Sequence, residues 1–132
     1  MASLAANRIL MVEDSPGDVY LVERLLYEAK QDKNYDIIDV PRLVDAFRLL
    51  DRESFDAILL DLNLLDIDGV SSVAALHAEV PNTPIIIYSG MEDKGLKEMA
   101  LLCGASEYLV KGHVDGRHLR LAIDHHIPYP IM

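Results

Sequence analysis

Residues 57–60, Ala-Ile-Leu-Leu, set four apolar side chains in a row between Asp56 and Asp61. A strand with one wet face alternates apolar and polar residues, so an unbroken run reads as a strand covered on both faces. Ile9-Leu10-Met11-Val12 has the same character, and so does the triple isoleucine of "TPIIIYSG" at 83–90. Chains that carry several such runs must supply helices to cover both sides of the sheet.

Those helices are legible between the runs. After the first strand, "SPGD" opens one: Ser15 is a capping residue, Pro16 fits the first turn and Asp18 stands in capping-box position. Val19, Val22, Leu26 and Ala29 then recur with helical spacing, and Leu25 widens the stripe. A weaker strand from Asp36 to Val40 ends at Pro41, and helical spacing returns with Leu43, Ala46, Phe47 and Leu50. The third strand ends at Asp61. Gly69 turns the chain into a helix with Val70, Val73, Leu76 and Val80 inward, stopped before Pro81. The fourth strand is followed by an inward stripe of Leu96, Met99, Ala100 and Cys103, with Gly104 placed to end the helix. A short strand, Glu107 to Val110, runs into Lys111. The last helix turns Leu119, Ala122 and Ile123 inward and cannot continue through Pro128 and Pro130.

Five strands alternating with five helices read as an α/β fold: one parallel sheet with helices on both faces. The 132 residues suit a single domain spanning 1–132, with its core at about 8–127. No apolar stretch reaches the ~18 residues of a membrane span, and "MASLAANR" lacks the basic start of a secretory signal. A cytoplasmic location and no membrane partner are the expectation. The net charge of −10, with 12 bases scattered among 22 acids, excludes direct binding of nucleic acid through a basic face. The single cysteine, Cys103, has no disulfide partner in the chain and reads as a buried small hydrophobe.

In open parallel sheets, chemistry gathers beyond the carboxyl ends of the strands. Strand one ends in Glu13 and Asp14, strand three in Asp61, strand four in Ser89 and strand five in Lys111. Three acids, a hydroxyl and a lysine therefore converge on one rim. Like charges about 4 Å apart repel by about 4 kcal/mol at an effective dielectric of 20, so such a cluster calls for a counter-ion. Hard oxygen ligands without His or Cys nearby point to Mg²⁺, with Mn²⁺ as its substitute. Mg²⁺ commonly shares its shell with phosphate, which makes a phosphoryl group the expected guest. The loop "EDSPGD" is too acidic to cradle a nucleotide phosphate by itself, which speaks against cofactor binding of the flavodoxin kind.

"ILMVEDSPGD", "ILLDLNLLDIDG", "IIIYSG" and "EYLVKG" occur in this order, and with them the chain resembles the receiver domains of response regulators from about Arg8 to Ile127. The resemblance implies a flavodoxin-like, doubly wound sheet of strand order 2-1-3-4-5. It implies that Asp61 is the phosphoacceptor, receiving a phosphoryl group from a histidine kinase or a histidine phosphotransfer protein of a two-component phosphorelay. Glu13, Asp14, Asp61 and the backbone carbonyl of Asn63 match the Mg²⁺ ligands. Lys111 matches the lysine that pairs with a phosphoryl oxygen, Ser89 the mobile hydroxyl and Tyr108 the aromatic switch. Asn63 and Met91 occupy the positions that tune phosphoryl lifetime. The face of fourth helix, fifth strand and fifth helix is where the family carries partner or homodimer contacts, toward a downstream protein or output domain that the sequence does not name.

The sequence departs from the family pattern where Ser89 replaces the commoner threonine, Leu65 stands in place of proline, and Gly112 follows Lys111 where proline, often cis, is usual. A cis bond before a non-proline residue costs about 2.5–4 kcal/mol, which puts the geometry of Lys111–Gly112 in question. Asp66 and Asp68 read as turn residues around Gly69. Asp56, Lys97, Glu98 and Glu107 read as solvated surface, as do His118, His125 and His126 on the last helix. Two rival readings use the same residues. One is a Mg²⁺-dependent phosphohydrolase with Asp61 as nucleophile, disfavoured because Asn63 stands where such enzymes place a second acid. The other is a receiver-like interaction module that is never phosphorylated, disfavoured because the acids, hydroxyl and lysine are all present.

Overall fold

The computed structural model describes residues 7–29, 34–64, 66 and 69–127. Among these, the strands are β1 (Asn7–Val12), β2 (Tyr35–Val40), β3 (Ala57–Leu60), β4 (Ile85–Ser89) and β5 (Glu107–Val110). They alternate with helices α1 (Pro16–Ala29), α2 (Leu43–Leu50), α3 (Gly69–Glu79), α4 (Lys94–Leu102) and α5 (Gly116–His126). All pairings are parallel, in the order β2-β1-β3-β4-β5.

The unbroken apolar runs follow from having two cores. Successive side chains of a strand point to opposite faces. Leu10, Val12, Ile58, Leu60, Ile85 and Ile87 therefore meet Leu43 and Ala46 of α2, Val73 and Leu76 of α3 and Ala100 of α4. Their neighbours Ile9, Met11, Ala57, Leu59, Ile86 and Tyr88 meet Val19, Val22 and Leu26 of α1 and Leu119, Ala122 and Ile123 of α5. From Ile9, Ala57 and Ile85 onward both faces of the three central strands are dry, and no polar residue interrupts them before the rim.

Helix starts are set by short polar side chains. The Ser15 hydroxyl accepts from the Asp18 amide (3.3 Å), Asp93 from Leu96 (3.1 Å) and Asp115 from His118 (2.8 Å). Helix α2 has Arg42 at its N-cap, a side chain with no acceptor, and the cap comes from far along the chain instead. Both carboxylate oxygens of Asp66 accept there, from Leu43 N (3.0 Å) and Val44 N (3.1 Å). Asp66 lies in a turn, as expected, and is also the cap of α2, because a bidentate acceptor satisfies two amides that α2 leaves open. Gly104 ends α4 as expected, at φ +119, and has a second reason to be glycine. A Cβ there would lie 2.5 Å from Cγ of His77.

Other expectations need adjustment. β1 and β2 begin earlier than the apolar residues suggest, β4 is confined to Ile85–Ser89, and α3 stops at Glu79, leaving Val80 packed beyond the helix end. Met99 is 49% exposed rather than inward, and Cys103 is only half-buried, because the nine-residue α4 packs chiefly through Ala100 and Leu96. His126 and Glu107, read as solvated, pair across the α5–β5 boundary at 2.9 Å. Leu65, Asp68, Pro128, Pro130 and the side chain of Ala29 lie outside the described residues.

Candidate functional site

The parallel register brings the polar rim together. Val12 of β1 lies opposite Leu60 of β3, and Ser89 of β4 opposite Val110 of β5. Glu13, Asp61 and Lys111 are each the next residue after a strand's last paired position. Backbone bonds carry the ladder one step further and hold them there: Glu13 N to Val40 O (2.9 Å), Asp61 N to Val12 O (3.1 Å) and Lys111 N to Ser89 O (2.8 Å).

Asp61 is 5% exposed and Glu13 3%, while Asp14 faces solvent. One carboxylate oxygen from each of Glu13, Asp14 and Asp61 falls within a common 4.8 Å. The Lys111 ammonium sits against this cluster, 2.6 Å from Glu13 Oε1 and 3.2 Å from Asp61 Oδ2. The other Asp61 oxygen, Oδ1, accepts from the Asn63 amide at 3.0 Å, so the carboxylate is fixed by both oxygens. Leu62 and Leu64 are buried on either side of exposed Asn63 and anchor that loop to the core.

Proton affinities follow from these contacts. Burial, reinforced by neighbouring Asp61 and offset in part by Lys111, raises Glu13 from 4.5 to about 7. Burial alone would lower Lys111, but its bonds to Asp18 and Glu13 outweigh it, and Lys111 stays firmly protonated. Three acids facing one lysine leave an excess of negative charge in a low-dielectric place. The donor set is all carboxylate oxygen, which fits a hard divalent cation such as Mg²⁺ or Mn²⁺ and not a soft one.

Ser89 is fully buried at the end of β4. Its hydroxyl accepts from the Met91 amide at 3.4 Å, and the hydroxyl of inward-facing Tyr108 donates to the Met91 carbonyl at 2.6 Å. The segment between β4 and α4 is thus pinned from both sides by the serine and the tyrosine. Burial raises the Tyr108 phenol above its ordinary value, so it remains a donor.

Lys111–Gly112 shows no cis bond, and Gly112 takes φ +85, a conformation that glycine adopts without penalty. That resolves the departure from proline: the turn after β5 is made by a left-handed glycine. The residue that sequence reasoning missed is Asp18, whose Oδ2 lies 2.8 Å from Lys111 Nζ. Only the amide half of the expected capping box forms, and the Asp18 carboxylate turns to the lysine. Nothing local to "SPGD" signals a partner 93 residues away.

The fold and this rim define a doubly wound α/β signalling module with an acidic cluster and a lysine at the carboxyl ends of its strands. The family model for the response regulator receiver domain matches residues 9–124, and the chain belongs to that family, the receiving side of two-component signalling. The cell cycle transcriptional regulator CtrA of Caulobacter vibrioides is 29% identical over 109 residues, covering 79% of this chain and 43% of CtrA. The cell cycle response regulator CtrA of Brucella ovis is 32% identical over the same shares. The chain therefore spans less than half the length of these relatives.

Among solved structures, the receiver domain of the sensor histidine kinase PA1611 from Pseudomonas aeruginosa, with magnesium coordinated in its active site cleft, is 28% identical. It superposes with a TM-score of 0.76 over 92% of this chain and 97% of that one. A CheY-like receiver domain from Methanospirillum hungatei, 21% identical with a TM-score of 0.77 over 92% and 97% of the two chains, shares the fold.

Proposed function

We propose that residues 1–132 form one receiver domain of a phosphorelay, in which Asp61 accepts a phosphoryl group from a phosphohistidine on a histidine kinase or phosphotransfer protein. The observation that carries this reading is the buried Asp61 carboxylate at the end of β3, held by Asn63 N on one oxygen and facing the Lys111 ammonium at 3.2 Å with the other. An Asp61 oxygen attacks phosphorus and the P–N bond breaks. Its electron pair goes to the imidazole nitrogen, and the product is an acyl phosphate on Asp61. Water later attacks the phosphorus and the P–O bond breaks, returning the carboxylate and inorganic phosphate. Phosphoryl transfer asks mainly for positioning and charge neutralisation. Glu13, Asp14, Asp61 and the Asn63 carbonyl are the groups that would hold Mg²⁺, which supplies the counter-charge for the phosphoryl oxygens.

Lys111 supplies the second positive charge, and Ser89 a neutral donor. If the Ser89 hydroxyl turns to a phosphoryl oxygen, it gives up the Met91 amide, and the Tyr108–Met91 bond is the next contact to change. This links the acceptor to the face of α4, β5 and α5, where a downstream protein, an output domain or a second copy would bind. The composition, with 22 acids against 12 bases, supports output through protein contacts and not direct DNA binding. The setting of such a relay would be the cytoplasm. The domain acts on itself and not as an enzyme on a separate substrate. Asn63, where a phosphohydrolase would need an acid, supports that choice.

The test is intact-mass measurement after incubation with acetyl phosphate, with and without Mg²⁺, beside Asp61→Asn. One phosphoryl adduct that needs both the cation and Asp61 is expected. A cation-bound protein that takes up no phosphoryl group would instead establish the unphosphorylated interaction module.

A further inference from the structure

Lysine carries three N–H donors, and at Lys111 three carboxylates receive them: Glu13 at 2.6 Å, Asp18 at 2.8 Å and Asp61 at 3.2 Å. Glu13 and Asp61 belong with Asp14 to the acidic cluster, whereas Asp18 stands outside it. We infer that Asp18 is a positioning residue, holding the Lys111 ammonium at the acceptor site while the other two carboxylates change partners. This rests on the receiver reading above. Once Asp61 carries phosphorus, Lys111 donates to a phosphoryl oxygen in place of Asp61 Oδ2, and Glu13 turns to its cluster. Asp18 has neither task.

The surroundings support an anchor of this kind. The backbone after Lys111 is a glycine turn at φ +85, which restrains the lysine less than a proline would. Beyond the backbone hydrogen bond that its N–H donates to the Ser89 carbonyl, Lys111 has contacts from its side chain to the Tyr88 ring, 5.9 Å from Nζ, and to its carboxylates. Asp18 itself is well placed to hold something. It lies in the first turn of the 14-residue α1, its amide fixed by the Ser15 hydroxyl at 3.3 Å, and α1 is packed on the sheet through Val19, Val22 and Leu26. Its carboxylate is 36% exposed, so the pair is partly screened and its effect on rate is moderate.

A negative charge beside the site has a second consequence that separates two roles. If Asp18 only added to the field, its neutralisation would ease the approach of an anionic donor and speed phosphorylation. As an anchor for Lys111, its loss must slow the step even at saturating donor. The experiment measures initial phosphorylation rate against acetyl phosphate concentration, at saturating Mg²⁺, for the wild type, Asp18→Asn and Asp18→Glu. Expected for Asp18→Asn is a limiting rate roughly three- to tenfold lower, the size of a partly screened charge-assisted bond, with no rise in half-saturating donor concentration. Asp18→Glu, which keeps the charge, restores most of the rate. A limiting rate for Asp18→Asn equal to or above the wild type overturns the inference and leaves the receiver reading standing. A wild type that takes up no phosphoryl group overturns both.

Discussion

Replacing Glu13 with glutamine should make the metal-free protein more stable while weakening its hold on a cation. The Glu13 carboxyl is 3% exposed, and its proton affinity is raised from 4.5 to about 7, chiefly by burial. Between those two values the unfolded chain has released this proton and the folded protein keeps it, so stability falls as pH rises through the window. The full displacement corresponds to about 3 kcal/mol against the charged folded form, at 1.36 kcal/mol per pH unit. Glutamine removes that ionisation and keeps a carbonyl acceptor for Lys111. In urea unfolding with a chelator at about pH 8, Glu13→Gln should exceed the wild type by about 1–3 kcal/mol, the lower end reflecting the weaker bond to Lys111. Its stability should also lose the decline between about pH 5 and 7. Excess Mg²⁺ should stabilise the wild type through binding to the folded state and the variant much less. A Glu13→Gln protein that is less stable than the wild type in chelator would refute this reasoning, showing the Glu13–Lys111 pair to outweigh the desolvation.

Asp66→Ala removes both acceptors at the start of α2 and should cost about 1–2 kcal/mol, read as a lower urea midpoint at unchanged slope. An unchanged midpoint would mean that water caps the helix equally well. Gly104→Ala combines a φ of +119 with a Cβ 2.5 Å from His77, and should destabilise by more than about 2 kcal/mol in the same assay. A loss under about 1 kcal/mol would show that His77 moves aside freely. Substituting Asn63 or Met91 should alter the decay rate of the Asp61 phosphoryl group while leaving its formation intact. Unchanged decay in both variants would remove them from the lifetime-setting positions.

The acidic pair, Asp61, Ser89 and Lys111 are legible in the sequence for one physical reason. Each ends or directly follows a strand too apolar to be anything but buried, and parallel strands bring their carboxyl ends to the same rim. The two-sided core is legible for the same reason, since Ile9 to Val12 and Ala57 to Leu60 leave no wet face. Contacts between side chains distant in sequence were not legible. Asp18 has the spacing of a capping residue, and its carboxylate goes to Lys111. Asp66 has the composition of a turn, and it caps α2, 23 residues earlier at Leu43. His126 and Glu107 are polar residues of ordinary surface character until α5 folds back on β5. Met99 keeps the helical period of Leu96 and Ala100, yet α4 is rotated so that it faces outward. Periodicity identifies a stripe, and packing decides how much of the stripe is covered.

The most direct measurement is to locate the phosphoryl group itself. The protein, loaded from acetyl phosphate in Mg²⁺, would be reduced with borohydride, which converts an aspartyl phosphate to homoserine, and then digested and sequenced by tandem mass spectrometry. Homoserine at position 61 alone, absent when Mg²⁺ is withheld, is the expected result. Homoserine at Asp14 or Asp66, or an adduct that survives reduction as a phosphohistidine or phosphoserine, would contradict the assignment of Asp61 as the acceptor.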